Sequence, residues 1–190
     1  MATAFADCAN KPNQQEFRVS TRAASSTPDN HTGPYERLIA LGIKLPDAPP
    51  PIANFVTHVQ EGNILYLSGQ GPRETDGRLH TGKVGNDLTA EDAYEHARLT
   101  GINLLAVMHH AVGDLNRIKR IVKLFGMVNA APEFADHPSV INGCSDLFIQ
   151  VFGNSGQHAR SAVGQGSLPG NITVEIEAIV ALEDGDTTPQ

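Results

Sequence analysis

The sequence predicts an α+β fold in which a mostly antiparallel sheet carries two helices on one face. The hydrophobic periodicity, read along the chain, gives the order strand, strand, helix, strand, helix, strand, strand. Apolar and polar residues alternate over residues 172–182, as in a strand with one buried face. A long segment of helical periodicity follows Thr89 and needs an apolar sheet face to cover. These observations favour one domain, which we place at residues 35–183.

The chain is expected to be disordered at both ends. Residues 1–34 are rich in Ala, Ser, Thr, Asn and Gln and show no sustained period, which is typical of segments that cannot build a core. Residues 184–190 are predicted to form a second disordered tail. Arg18 and Arg22 leave an organelle-targeting role open, although the acidic Asp7 is unusual in a transit peptide.

The first part of the domain predicts a short helix, a hairpin and a loop. Residues 35–45 have helical spacing, and Gly42 is the expected end of this helix. Residues 54–59 and 64–68 are predicted strands, and the Gly and Asn within residues 60–63 favour a tight turn between them. Residues 75–84 are rich in turn-forming residues and are predicted to form a surface loop.

The second part contains the longer elements. Thr89 and Asp92 resemble a capping box that begins a helix ending near Gly113. Residues 118–128 are β-rich and predict a strand, and residues 136–152 predict a second helix from their apolar spacing. Both helices are expected to pack on the same face of the sheet.

Charged residues of opposite sign flank the last turn of the domain. Arg160 precedes the β-prone residues 161–163, whereas Glu175 and Glu177 share one face of the last strand. The Gly- and Pro-containing segment between them is able to reverse the chain. We therefore expect Arg160 and Glu175 to lie side by side on neighbouring strands. A guanidinium can hold a carboxylate bidentately, and a carboxylate can move a proton.

Composition argues against several classes of function. The formal net charge is −7 and no Lys/Arg-rich run is present, so a nucleic-acid partner is disfavoured. Cys8 and Cys144 are too few for a disulfide framework. No apolar run approaches the roughly 20 residues that span a bilayer, and the first residues lack the apolar region of a secretory signal. We therefore expect a cytoplasmic protein that does not contact membranes.

The sequence lacks the motifs of metal and cofactor enzymes. Its eight histidines show no HExxH or Cys/His ligand spacing, and no P-loop, GxSxG or dinucleotide motif occurs. We predict no metal and no cofactor. Cys144 has no base evident in the sequence, so covalent catalysis is not expected. His158, two residues before Arg160, is the histidine best placed for a proton-transfer role at the rim of a cleft.

Four motifs at fixed spacing carry a family resemblance: GNILYLSGQGP at residues 62–72, ARS at 159–161, LP at 168–169 and VEIEAI at 174–179. In these motifs the chain resembles the Rid (reactive intermediate deaminase) family, also called the YjgF family, over residues 54–182. The resemblance implies a chorismate-mutase-like fold and a homotrimer with clefts between subunits. It also implies the hydrolysis of enamines or imines to carbonyl compounds and ammonia.

The resemblance assigns roles to individual residues. Arg160 matches the arginine that binds the substrate carboxylate, and Glu175 matches the active-site glutamate. The other matching positions line the substrate pocket: Phe55, Ser68, Gly69, Asn142 and Ala162. Phe55 and Ala162 depart from the family, in which a tyrosine and a cysteine are usual. From the sequence alone, Ser68 also fits a strand end and Asn142 a helix cap.

Three functions remain open. The first is a trimeric, cofactor-free deaminase in which Arg160 binds a carboxylate-bearing imine or enamine and Glu175, ionised beside Arg160, positions the attacking water. The second is a non-catalytic ligand-binding or chaperone-like trimer, which the loss of the tyrosine and the cysteine would suit. The third is an endoribonuclease, which the net negative charge disfavours.

Overall fold

The sheet contains five strands in the part of the chain that the structure, a computed structural model, describes: residues 32–51 and 53–184. The predicted disordered segments therefore lie largely outside the described residues. The helices are α1 (Pro34–Ala40), α2 (Ala90–Val112) and α3 (His137–Phe152), and the strands are β1 (His58–Glu61), β2 (Ile64–Gln70), β3 (Ile118–Asn129), β4 (Ala159–Gln165) and β5 (Val174–Leu182). Three short 3-10 turns follow α2, α3 and β4.

The strand order is β1-β2-β5-β3-β4, and every neighbouring pair is antiparallel except the parallel pair of β3 and β4. This confirms the predicted order of elements and the mostly antiparallel sheet. In β5 the buried residues alternate with less buried ones, since successive side chains of a strand point to opposite faces. The buried set packs in the core with residues of α2 and α3: Val174, Ile176, Ala178, Val180 and Leu182. The other face, here called the open face, carries Glu175 and Glu177.

The boundaries of α2 follow its capping signals. Thr89 and Asp92 form a complete capping box, and Gly113 ends the helix in the left-handed conformation at φ 75°.

Glycines also set how closely α2 and α3 approach. A Cβ on Gly101 of α2 would lie 2.9 Å from a Leu147 side-chain atom, and a Cβ on Gly143 of α3 would collide with the α2 backbone at Tyr94.

Several predicted boundaries were wrong at the start of the domain. β1 is His58–Glu61 rather than residues 54–59, because a two-residue turn at Gly62 and Asn63 pairs Glu61 with Ile64. Helix α1 ends at Ala40, two residues before the predicted stop at Gly42.

Two further corrections concern the end of β2 and the segment that follows it. Strand β2 continues beyond residue 68 to Gln70 through an irregularity in its pairing. The predicted surface loop is not wholly on the surface, since Val84 is completely buried in the core.

The connection from β4 to β5 also differs from the prediction. It crosses the end of β3 rather than forming a hairpin, so β3 lies between β4 and β5. Asn129, the last residue of β3, anchors this crossing. Its side chain donates to Asn171 Oδ1 at 2.9 Å, and its backbone N donates to the Thr173 carbonyl at 2.9 Å. The predicted neighbouring strands are thus separated by one strand.

Candidate functional site

Arg160 lies on β4 and points toward α3. It is in register with Leu124 of β3, whose side chain is completely buried, and cross-strand partners share a face of the sheet. Its Nη1 donates to Asn142 Oδ1 at 2.8 Å and to Ser145 Oγ at 3.0 Å. Asn142 and Ser145 are three residues apart on α3, so their side chains lie on one face of that helix. Helix α3 therefore fixes one nitrogen of the guanidinium.

The guanidinium keeps one edge unused. Both hydrogens of Nη1 are committed to α3, whereas Nε and Nη2 have no acceptor within residues 32–51 and 53–184. These two nitrogens form the flat fork that receives the two oxygens of a carboxylate. The residue as a whole is only partly buried. The arrangement suits the bidentate binding of a carboxylate that the sequence predicts.

The remaining predicted residues on this side of the sheet are Asn142 and Ala162. Asn142 is not a helix cap, since Asp136 occupies the N-cap position of α3 and Asn142 lies in the second turn. Ala162 is two residues beyond Arg160 and is in register with Gly126. It packs against the core and presents no polar group. This side of the site thus contains a cation and an amide, but no nucleophile at Ala162.

Glu175 lies on the open face, among residues of β2. Ser68 and Gly69 of β2 lie opposite the single residue Glu177 of β5, in a local bulge between the pairs Leu67–Ala178 and Gln70–Ile176. A Cβ on Gly69 would lie 2.9 Å from Glu175 Cγ and 3.0 Å from its Cδ. Gly69 therefore provides the space in which the Glu175 side chain rests.

The electrostatics of Glu175 differ from the prediction. Burial, and then the nearby Glu177 carboxylate, raise the pKa of Glu175. The sequence predicts that an adjacent Arg160 keeps this carboxylate ionised. That expectation was wrong for the single chain, because Arg160 and Glu175 lie on opposite faces of the sheet with β3 between their strands. A carboxyl with a raised pKa exchanges its proton more readily near neutral pH.

Ser68 and Phe55 lie near the same bulge. Ser68 Oγ donates to the Val56 carbonyl at 2.6 Å, and its backbone N donates to the Thr57 carbonyl at 3.0 Å. These bonds fasten the segment before β1 to β2. Phe55 belongs to that segment and is 44% exposed. Ser68 therefore links β2 to the segment before β1, and it lies two residues before the end of β2.

Ser145 is the contact that the sequence analysis missed. Its signal is its position one helical turn after Asn142, which places both beside Arg160. Ser145 also lies 3.0 Å from Nε2 of His158, whose Nδ1 is 2.6 Å from the Gly156 carbonyl. Both ring nitrogens of His158 thus have partners within the chain. Burial has the largest effect on the pKa of His158 and lowers it. The hydrogen bond to the Gly156 carbonyl raises this pKa, and the nearby Arg160 lowers it.

Other classes of site find no support in the described residues. Cys144 is completely buried, and this burial raises the pKa of its thiol. No group of three or more His, Cys, Asp or Glu side chains in residues 32–51 and 53–184 is arranged to hold a metal ion. Among the described helices, none is both long enough and apolar enough to cross a membrane.

Comparison with known proteins gives consistent matches over most of the chain. Residues 35–180 match the family model described as "YjgF/chorismate_mutase-like, putative endoribonuclease". Protein TCP17 of Trypanosoma cruzi is 43% identical over 145 residues, which cover 76% of this chain and 91% of that protein. A 2-iminobutanoate/2-iminopropanoate deaminase of Dermatophagoides farinae is 32% identical over 142 residues, covering 74% and 95% respectively.

Solved structures agree with these matches. The crystal structure of Atu1372 from Agrobacterium tumefaciens, a protein of unknown function, is 44% identical with a TM-score of 0.73. The match covers 79% of this chain and 94% of that one. The sequence and the fold therefore lead to the same group of proteins.

Proposed function

Because the chain belongs to the YjgF/chorismate-mutase-like family, also called the Rid family, we propose that it is a hydrolytic deaminase of imines or enamines that carry a carboxylate. The open Nε–Nη2 edge of Arg160 carries this proposal, since it is a preformed fork for a carboxylate. The 32% identical relative named 2-iminobutanoate/2-iminopropanoate deaminase supports it, because imino acids of that type combine a carboxylate with a C=N bond.

The proposed active site lies between two subunits of a homotrimer. One chain holds Arg160 and Glu175 on opposite faces of its sheet, so a second subunit has to bring the two groups together. The open face offers a surface for such contact. The described helices do not cover this face, yet it carries several apolar side chains: Val59, Ile64, Tyr66, Phe125, Met127 and Ile179. Burial of such a surface favours a closed assembly.

The proposed chemistry uses one water molecule and no cofactor. Arg160 binds the substrate carboxylate and thereby fixes the C=N carbon within the cleft. As water attacks that carbon, the Glu175 carboxylate of the neighbouring subunit accepts a proton from the water. The same carboxyl then returns the proton to the amine nitrogen of the carbinolamine. The hydroxyl of the carbinolamine gives its proton to the carboxylate as the C=O bond forms and the C–N bond breaks, and ammonia and an oxo acid leave.

An ammonia-release assay on freshly generated imino acids tests this proposal. Arg160→Ala should cost on the order of 2–5 kcal/mol of transition-state stabilisation, roughly a 30-fold to several-thousand-fold loss of kcat/KM. Arg160→Lys should recover only part of the loss, because lysine lacks the fork. Arg78→Ala is the matched control, since Arg78 is an exposed loop arginine that pairs only with nearby acidic residues. Wild-type rates in the Arg160→Ala protein would refute the proposal.

The second candidate is a non-catalytic trimer that binds the same ligands. Phe55 and Ala162 favour it, because neither side chain supplies a polar group at a position where the family usually has one. The same assay separates the two candidates. Binding of a 2-oxo acid that depends on Arg160, without ammonia release by the wild-type protein, would select the binding function.

A further inference from the structure

The protonation of His158 follows from its partners. Its ring is half-buried beside α3, edge-on to Phe148 with ring centroids 6.4 Å apart. Nδ1 lies 2.6 Å from the Gly156 carbonyl oxygen, and a carbonyl can only accept a hydrogen bond. Nδ1 must therefore carry the hydrogen, and Nε2 of the neutral ring is left as an acceptor.

The direction of the next bond is fixed in the same way. Arg160 Nη1 can only donate, so Ser145 Oγ, 3.0 Å away, accepts from it. The hydroxyl hydrogen of Ser145 is then directed to Nε2 of His158, also 3.0 Å away. The hydrogen bonds thus run in one direction from Arg160 through Ser145 to His158, and from His158 to Gly156.

We infer that Ser145 and His158 are positioning residues, which hold the Arg160 guanidinium with its Nε–Nη2 edge open only while the His158 ring is neutral. A protonated ring would place a hydrogen on Nε2. Ser145 would then face two cationic donors, and its own hydrogen would lose its acceptor. The inference rests on the proposed binding of a carboxylate by Arg160 and adds a pH limit to it.

The surroundings of His158 support this limit. Within the described part of the chain, Arg160 of β4 is the charged group that acts on the ring, while α3 contributes the uncharged Ser145 and Phe148 and the 3-10 turn contributes the Gly156 carbonyl. Burial and Arg160 lower the pKa of His158 from its ordinary value of 6.5. The neutral ring, and with it the positioning, is therefore present at neutral pH and lost as the pH falls through the lowered pKa.

Binding of 2-oxobutanoate, measured by calorimetry from about pH 5 to about pH 8, tests the inference. We expect the wild-type affinity to fall as the pH falls below the His158 pKa. His158→Gln should bind normally at neutral pH and lose this pH dependence, because its amide oxygen accepts from Ser145 without titrating. Ser145→Ala should weaken binding about tenfold at neutral pH, and Ser145→Thr, which keeps the hydroxyl, should restore it. Equal pH profiles for the wild type and His158→Gln would overturn the inference, as would unchanged binding in Ser145→Ala.

A second measurement does not depend on turnover or on ligand binding. Nitrogen-15 NMR of the full-length protein should show the Nδ1–H tautomer of His158 at neutral pH. Ser145→Ala should raise the His158 pKa, because the neutral ring loses a hydrogen bond. An Nε2–H tautomer, or an unchanged pKa in Ser145→Ala, contradicts the inference. If Arg160→Ala releases ammonia at the wild-type rate while these NMR results hold, the proposed function fails and the hydrogen-bond network stands.

Discussion

The Arg160 side chain is held through one nitrogen, and its other two nitrogens are left to bind a ligand. Its Nη1 is held by Asn142 and Ser145 at 2.8 and 3.0 Å, which removes much of the rotamer freedom that a free arginine would lose on binding. The opposite edge remains open to a ligand. Lysine cannot divide its roles in this way, because its ammonium is a single point charge on a flexible stem.

Gly69 gives the first prediction at the scale of single residues. A Cβ there would crowd the Glu175 side chain, with atoms 2.9 and 3.0 Å away. Gly69→Ala should therefore displace this carboxylate and lower kcat by about 10- to 100-fold. The fold should persist, because Gly69 does not have a positive φ.

Gly166→Ala serves as the matched control for this change, since a Cβ at Gly166 meets no atom within 4 Å. Steady-state kinetics and thermal unfolding of both variants make the comparison. Equal kcat for Gly69→Ala and the wild type would show that Glu175 does not need this position.

Some residues of the candidate site could be identified from the sequence, and others could not. Arg160 and Asn142 were assigned to one site by family resemblance, and the structure brings them into contact. Ser145 was missed because a lone serine in a helix carries no signal until its neighbours are known. The environment of Glu175 was predicted wrongly, because it depends on which strand lies beside β5 and not on residues near Glu175 in the sequence.

At the scale of elements, the long periodic segments were predictable and the short ones were not. Helix α2 begins and ends at its predicted capping residues, and β5 shows the predicted alternation of burial. β1 was misplaced because its four residues, His58–Glu61, have no apolar alternation and take their register from the tight turn that follows. The β4–β5 crossing was missed because Asn129, which anchors it, is remote in sequence.

Strand β5 gives a prediction about pH and stability. Burial and Glu177 raise the folded-state pKa of Glu175 above its unfolded value. Ionisation of Glu175 therefore destabilises the fold. The free energy of unfolding is higher at low pH, where Glu175 is protonated, and it falls as the pH rises through the folded-state pKa. Glu175→Gln removes this carboxylate. At dilutions at which the protein is monomeric, it should raise the melting temperature relative to wild type at about pH 7 and lose that advantage near pH ~4.

Thermal unfolding across this pH range, with Glu183→Gln as control, measures the effect. Glu183 is an exposed glutamate just after β5, so its replacement should change the melting temperature little. A Glu175→Gln protein that is less stable than the wild type at neutral pH would show that the carboxylate stabilises the fold.

At the scale of the whole molecule, the open face of the sheet carries exposed apolar side chains that a partner would bury. Tyr66 is 47% exposed and Val59 is 54% exposed in the single chain, and both lie on the open face as a cross-strand pair. Helices α2 and α3 cover the other face. A second copy of the chain is the partner that would also unite Arg160 with Glu175.

Tyr66→Glu tests whether the open face is the subunit interface. A charge placed in a desolvated apolar contact is costly, so we expect this variant to shift from trimer to monomer in light scattering at micromolar concentration. Leu79→Glu is the control, because Leu79 has a similar exposure of 45% but lies in the loop after β2. A trimer that survives Tyr66→Glu unchanged would place the interface elsewhere.

The most direct test of the intersubunit site is activity in mixed trimers of Arg160→Ala and Glu175→Gln chains. Each variant alone should be nearly inactive, because every site lacks one of the two groups. In a trimer assembled at random from equal amounts, about a quarter of the sites combine an intact Arg160 from one chain with an intact Glu175 from its neighbour. We predict that the co-expressed population regains about a quarter of the wild-type rate of ammonia release, because each mixed trimer has one complete site and the parent homotrimers have none. Mixed trimers, verified by native mass spectrometry, that remain as inactive as the two parent variants would contradict a site shared between subunits.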